Sequence, residues 1–317
     1  MRRTFTILLI LALALCAPAQ AEGRFSIVCA TFPCYDWVMN VLGGEADAFD
    51  VSLLLDNGVD LHSYQPTADD IIRISGCDLF VYVGGASDSW VTDALRGESN
   101  PDRIVVTLMD ALGDSVREEE LVEGMQAEEA EEDAEEAEPE YDEHIWLSLR
   151  NAQALTRALA DALSEIDPTR AERFRANAEE YCGKLAELDE RFAAAAASAQ
   201  TDTLLFGDRF PFRYLMDDYG LTYYAAFAGC SAETEASFET IVFLAGKVDE
   251  LGLRHVCVIE NSDGRIANTI ISSTQSRDQD VIAFDSMQAV TRERIDAGET
   301  YLSIMENNLA ALTAALN

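Results

Sequence analysis

Short apolar runs alternate with amphipathic helical segments along most of this chain. This alternation restricts the fold classes that the chain can adopt more than any other feature of the sequence. The runs with strand character lie at 25–31, 49–55, 79–83 and 103–108, then at 203–206, 222–226, 255–260 and 280–284. Segments with helical spacing separate them, which indicates βαβ units and parallel sheets. Since 317 residues exceed one ordinary core, we predict an α/β protein of two lobes, each with a mostly parallel sheet flanked by helices.

One long helical segment separates the two halves. Residues 169–197 keep an amphipathic pattern after the Asp167-Pro168 break. About 30 helical residues span roughly 45 Å, which is long enough to join two lobes. We predict an N-terminal lobe at 22–165, a linking helix at 166–199 and a C-terminal lobe at 200–317.

The first 21 residues have the composition of a secretory signal peptide. Arg2 and Arg3 precede a short apolar run, and Ala19-Gln20-Ala21 resembles a cleavage site. We therefore expect an exported protein. An alternative is a lipoprotein anchored to the outer face of the membrane through Cys16, although Leu15 stands where such signals have a small residue.

Residues 118–143 form an acidic loop that contains fifteen carboxylates and no basic residue. Such a block repels itself and lacks the apolar residues of a core. It is either a solvated insertion or a low-affinity collector of cations. The whole chain has a formal net charge of −36, which argues against nucleic acid and anionic membranes as partners.

The cysteines give no sign of a structural zinc cluster, because no pair has CxxC spacing. Cys29 and Cys257 lie in strand-like runs and are expected to be buried. Cys34 and Cys230 lie in loop-like contexts. In an oxidising compartment these two are either joined by a disulfide or present as separate thiols.

The chain has three histidines, so each one can be assessed separately. His62 follows a predicted strand, and loops at the carboxyl ends of parallel strands line binding clefts. His144 follows the acidic loop where an apolar pattern resumes. His255 begins a strand and is interpreted as structural. Histidine spacing alone does not establish a metal site.

Two segments resemble the zinc and manganese solute-binding proteins of ABC importers, the group that includes the ZnuA and TroA types. Residues 59–67, VDLHSYQPT, resemble that family's G-x-x-x-H-x-Y-x-P-T motif, and 142–148, DEHIWLS, resemble its D-P-H-I-W-L-S motif. Weaker matches follow at Glu235 with Ser237, and at Tyr301, Met305 and Asn308. The likeness extends from about residue 25 to the end. It implies two lobes whose rotation is limited by a rigid linking helix.

The resemblance implies four protein ligands to one metal ion. His62 and His144 match the first two, and Asp285 matches the aspartate after the last strand. At the third position, where the family has His or Glu, this chain has Arg209, which stays protonated and cannot bind a cation. Either the adjacent Asp208 is the third ligand, or the site has three protein ligands and water.

Imidazole and carboxylate ligands suit zinc and, as an alternative, manganese. The affinity is expected to fall between about pH 7 and 6, because imidazole must be neutral to bind metal. We therefore expect a monomeric, non-enzymatic receptor that delivers Zn²⁺ (alternatively Mn²⁺) to the permease of an ABC importer. The alternatives are a zinc-dependent hydrolase, which lacks support because no HExxH motif is present, and a metal-binding surface adhesin.

Overall fold

A computed structural model describes residues 24–97, 99–126, 140–231 and 235–317. The predicted signal peptide, Cys16 and most of the acidic loop lie outside these ranges. Within them, no helix combines the length and the apolar character that crossing a membrane requires.

The N-terminal half forms a four-stranded parallel sheet. Its strands are β1 (Phe25–Cys29), β2 (Phe49–Leu53), β3 (Leu79–Tyr82) and β4 (Ile104–Thr107), in the order β2-β1-β3-β4. The helices that accompany the sheet are α1 (Phe32–Leu42), α2 (Ala68–Gly76), α3 (Val91–Arg96) and α4 (Leu108–Leu112). α2 begins at a capping box, in which Thr67 and Asp70 satisfy each other's backbone N–H groups.

The C-terminal half repeats this topology. β5 (Thr203–Phe210), β6 (Thr222–Ala228), β7 (His255–Ile259) and β8 (Asp280–Phe284) form a parallel sheet in the order β6-β5-β7-β8. Its helices are α7 (Arg213–Tyr219), α8 (Phe238–Leu251), α9 (Arg265–Ser273), α10 (Arg292–Asp296) and α11 (Tyr301–Ala315). The predicted fold class is therefore confirmed.

Two long helices follow the strands of the first sheet and precede those of the second in the sequence, and they pack against each other. They are α5 (Leu149–Ile166) and α6 (Ala171–Ala197). The 27 residues of α6 extend about 40 Å, and this is the helix that the amphipathic pattern predicts. Buried aromatic residues continue the apolar core from one half to the other, because the rings of Trp37 in α1 and Tyr301 in α11 lie 5.3 Å apart.

Candidate metal site

Three residues considered for the site follow the carboxyl ends of parallel strands, whereas His144 directly precedes a 3₁₀ turn, Ile145–Leu147, and α5. His62 follows β2, Cys230 follows β6 and Asp285 follows β8. In parallel sheets this edge presents the loops that bind ligands. Here the edges of both sheets supply residues to one region between the halves.

His62 is held in a single turn of 3₁₀ helix, Leu61–Ser63. The Asp60 carboxylate accepts a hydrogen bond from the His62 backbone N–H at 3.0 Å. On the ring, Nδ1 lies 2.7 Å from Ser87 Oγ. The tautomer that donates from Nδ1 to this hydroxyl leaves Nε2 as the atom with a free lone pair.

His144 is fully buried and is oriented by Asp142. Asp142 Oδ1 accepts hydrogen bonds from both the backbone N–H and the ring Nδ1 of His144, each at 2.8 Å. A carboxylate can only accept, so the proton is on Nδ1 and the neutral ring has its lone pair on Nε2. This carboxylate–imidazole pair is the arrangement that commonly orients a metal-binding histidine.

The two rings meet through their Nε2 atoms, which lie 3.1 Å apart. Burial, followed by the charge of His144, lowers the pKa of His62 to about 3, so its ring is neutral at neutral pH. Burial also opposes protonation of His144, but the charge and hydrogen bond of Asp142 outweigh it, and the net shift of the pKa of His144 is upward. Two nitrogen ligands are therefore aimed at one point.

Cys230 completes a group of three candidate metal ligands with these histidines. Its Sγ and the ligand nitrogens of His62 and His144 all lie within 4.8 Å of one another. The preceding Gly229 makes this approach feasible, since an added Cβ would lie 2.9 Å from His144 Cε1 and 2.9 Å from the Phe210 carbonyl oxygen. Among the described residues, Cys34 and Cys230 are both free thiols, which favours the second of the two alternatives given for them.

Asp208 and Arg209 line a cavity of about 440 Å³ between the halves, together with Asp60. Arg209 donates from Nη2 to Asp60 Oδ2 at 2.6 Å, which connects β5 to the turn that carries His62. Burial alone would raise the pKa of Asp60. The hydrogen bond and charge of Arg209 outweigh this effect, so the pKa of Asp60 is below its usual value. Asp208 accepts from the Arg209 backbone N–H at 2.9 Å, and it lies outside the three-residue group found in the described part of the chain.

Asp285 is also outside that group among the described residues. It forms an ion pair with Arg294. Asn308 fixes its backbone by donating to the Asp285 carbonyl and accepting from the Asp285 N–H, both at 2.8 Å. The next residue, Ser286, donates from its backbone N–H and its hydroxyl to the half-buried Glu260 carboxylate. Burial and the nearby Asp285 raise the pKa of Glu260 to about 7.

The aromatic residue of the second motif connects the two halves. Trp146 donates from Nε1 to the Ser286 carbonyl at 2.8 Å, and the Trp146 carbonyl accepts from Tyr301 at 2.7 Å. Trp146, Ser286 and Tyr301 are all buried. The loop that carries His144 is thereby fixed to the loop that carries Asp285.

The described ends of the acidic loop contact the C-terminal half. The Gln126 N–H donates to the Ala226 carbonyl at 3.0 Å, beside β6, and the Gln126 side chain accepts from the Ser237 N–H at 2.8 Å. Glu119 Oε1 accepts from the Cys230 N–H at 3.2 Å. This segment therefore touches the loop that brings Cys230 to the histidines.

Sequence reasoning missed four of these residues as parts of the site. Ser87 and Glu119 carry no recognisable motif. Cys230 was considered only as a disulfide partner of Cys34 or a separate thiol. Asp142 is the first residue of the DEHIWLS motif, and its position two residues before His144 is the signal in the sequence for its role.

Comparisons with known proteins identify the family of this chain. The family model described as the periplasmic component A of the zinc-uptake complex, ZnuA, matches residues 27–315. The chain belongs to the ZnuA family.

Individual relatives of the ZnuA family are similar over nearly the whole of this chain. The zinc-binding lipoprotein AdcA of Streptococcus pneumoniae (strain ATCC BAA-255 / R6) is 32% identical over 295 residues, which cover 92% of this chain and 56% of AdcA. The chain thus spans about half the length of that relative. The high-affinity zinc uptake system protein ZnuA of Bacillus subtilis (strain 168) is 26% identical over 301 residues, which cover 94% of this chain and 90% of that protein.

A solved structure shows the same architecture. The Zn(II)-bound ZnuA-like domain of Streptococcus pneumoniae AdcA matches with a TM-score of 0.70 and 29% identity, and the match covers 93% of this chain and 99% of that one.

Proposed function

We propose that this protein is an exported, monomeric receptor that binds Zn²⁺ between its two lobes and delivers it to the permease of an ABC importer. The observation that carries the proposal is the pair of Nε2 atoms 3.1 Å apart on His62 and His144. In a tetrahedral zinc site with Zn–N bonds of about 2.0–2.1 Å, two nitrogens lie about 3.3 Å apart. The rings therefore need little movement to bind one ion.

Zinc is favoured over manganese by the site and by the relatives. Imidazole is a good ligand for zinc, whereas manganese prefers oxygen ligands. The related AdcA and ZnuA proteins are named for zinc binding and zinc uptake.

For the remaining ligands we retain the predictions from sequence. Asp285 would bind through a carboxylate oxygen and exchange its contact with Arg294 for the metal. Asp208 or water would take the third position. The sequence-based boundaries are kept as proposals, with lobes at 22–165 and 200–317 and a linking helix at 166–199. The lipid anchor through Cys16 remains the alternative to a cleaved signal peptide.

Metal binding is tested by measuring stoichiometry and affinity in the purified protein and in two variants. We expect one Zn²⁺ per chain by elemental analysis of protein purified without chelators, and tighter binding of Zn²⁺ than of Mn²⁺ in competition titrations. His62→Ala and His144→Ala should each lose tight binding. His255→Ala, which lies in β7, is the matched control and should bind like the wild type. Unchanged affinity in both site variants would refute the site.

Delivery is tested separately from binding. A strain that lacks the gene should take up less ⁶⁵Zn at low external zinc, and the wild-type gene should restore uptake while the His144→Ala gene should not. Full uptake without the protein would show that it is not the receptor. A hydrolytic activity that depends on added zinc would favour the enzyme alternative.

A further inference from the structure

The third ligand position is altered in this chain, and the structure offers a substitute for it. Arg209 cannot bind a cation, and its guanidinium is paired with Asp60 at 2.6 Å. The neighbouring Asp208 uses one carboxylate oxygen for the Arg209 N–H. Neither residue belongs to the group of candidate ligands around the two histidines in the described part of the chain.

We propose that Cys230 is the third protein ligand, so that the metal is bound by two imidazole nitrogens and one thiolate sulfur. This inference rests on the proposed function, because it assigns a ligand within the same site. It replaces Asp208 and water as the occupants of that position.

The distances suit this ligand set. A tetrahedral zinc ion with bonds of about 2.05 Å to nitrogen and about 2.3 Å to sulfur places the sulfur about 3.6 Å from each nitrogen. In the structure, the Cys230 sulfur and the two imidazole nitrogens lie within 4.8 Å of one another. A shift of about 1 Å in the Cys230 loop therefore brings all three atoms to bonding positions.

Surrounding groups hold the Cys230 loop near this position. Gly229 permits the close approach to His144, since any side chain there would overlap the imidazole ring. Glu119 accepts a hydrogen bond from the Cys230 N–H. Glu119 is thus a positioning residue that acts on the site through the backbone of Cys230.

Burial, followed by the negative charges of Glu119 and Asp142, raises the pKa of the Cys230 thiol in the metal-free protein, so the thiolate forms only when the metal displaces the proton. Two neutral imidazoles, the Cys230 thiolate, the carboxylate proposed for Asp285 and one divalent ion have a net charge of zero, and the carboxylates of Asp142 and Glu143 lie 2.8 and 3.8 Å from the histidine rings. As the metal–sulfur bond forms, the thiol proton is released to solvent. A thiolate also selects among metals, because sulfur favours Zn²⁺ and Cd²⁺ over Mn²⁺.

The test is the absorption spectrum of the full-length mature protein titrated with Co²⁺ as a spectroscopic substitute for zinc. A cobalt–thiolate bond gives a charge-transfer band in the near ultraviolet, whereas nitrogen and oxygen ligands do not. We expect the band in the wild type, in Asp208→Asn and in the control Cys182→Ser, whose sulfur contacts the Gln153 carbonyl between α5 and α6. We expect no band in Cys230→Ser. That variant should also bind Zn²⁺ at least about 100-fold more weakly, with a much smaller loss for Mn²⁺.

The outcomes of the Co²⁺ titration distinguish a failure of the Cys230 assignment from a failure of the proposed function. If the wild type binds one Co²⁺ tightly without the band, Cys230 is not a ligand, and the receptor function stands. If the wild type binds neither Co²⁺ nor Zn²⁺ tightly, the proposed function itself fails. Should Cys230→Ser not fold, thiol alkylation of the wild type followed by peptide mapping decides: zinc should protect Cys230 from alkylation, and equal labelling with and without zinc would overturn the inference.

Discussion

The hydrogen bond from His144 to Asp142 makes a quantitative prediction about metal affinity. Asp142 Oδ1 accepts hydrogen bonds from the backbone N–H and from the ring Nδ1 of His144, at 2.8 Å each, and both residues are buried. Replacing Asp142 with Ala removes the oxygen that accepts both hydrogen bonds, so the imidazole loses its fixed tautomer and orientation. Loss of such a partner typically weakens metal binding by about 10- to 100-fold, which corresponds to about 1.4–2.7 kcal/mol.

Asp142→Asn separates the two contributions of this carboxylate. An amide oxygen in the same position can accept both hydrogen bonds but carries no charge. We therefore expect its zinc affinity to lie between those of the wild type and Asp142→Ala. The assay is a competition titration against a chromophoric chelator at constant pH and salt.

Controls distinguish loss of orientation from loss of fold. Asp110→Ala changes an exposed carboxylate in α4 and should bind zinc like the wild type. Circular dichroism should show that apo Asp142→Ala is folded, although its free energy of unfolding should fall by about 1–3 kcal/mol because buried donors of His144 lose their acceptor. If folded Asp142→Ala binds zinc within twofold of the wild type, His144 is not a ligand that depends on this orientation.

Two further predictions concern stability and packing. Burial raises the pKa of Asp36 to about 6. The stability that the protonated carboxyl contributes is therefore fully present below about pH 4 and is lost as the pH rises through 6. By pH 8 the ionised carboxylate lowers the free energy of unfolding by about 3 kcal/mol. The stability of Asp36→Asn relative to the wild type should therefore increase by up to that amount between pH 4 and 8 in urea titrations, and a constant difference would contradict this. Gly229→Ala should weaken zinc binding or lower the unfolding free energy by about 1–3 kcal/mol, because its Cβ would lie 2.9 Å from both the His144 ring and the Phe210 carbonyl; wild-type values for both would contradict the packing argument.

Much of the fold could be predicted from the sequence because each strand carries its own local signal. The eight predicted strand runs correspond to β1–β8, and the pattern at 169–197 corresponds to α6. The short helices α3, α4 and α10 were missed. Each spans five or six residues, which is too short for helical periodicity to be distinguished from a loop. The shared strand order of the two sheets was also not predictable, since pairing is a tertiary property.

The part of the candidate site that could be predicted consists of histidines within recognisable motifs, because imidazole is a common metal ligand. His62 and His144 were identified through their motifs, and the structure brings them together. Arg209 and its partner Asp60 are 149 positions apart in the chain. Cys230 and His62, which lie in one group of candidate ligands, are 168 positions apart. Such contacts depend on how the two halves pack, and no local pattern encodes them.

The direct test of the central claim is a crystal structure of the zinc-loaded protein with anomalous diffraction data on both sides of the zinc absorption edge. We predict one strong anomalous peak between the lobes, bonded to Nε2 of His62 and Nε2 of His144 at about 2.0–2.1 Å. A peak bound elsewhere, such as within the acidic loop, with the two imidazoles free of metal, would contradict the account.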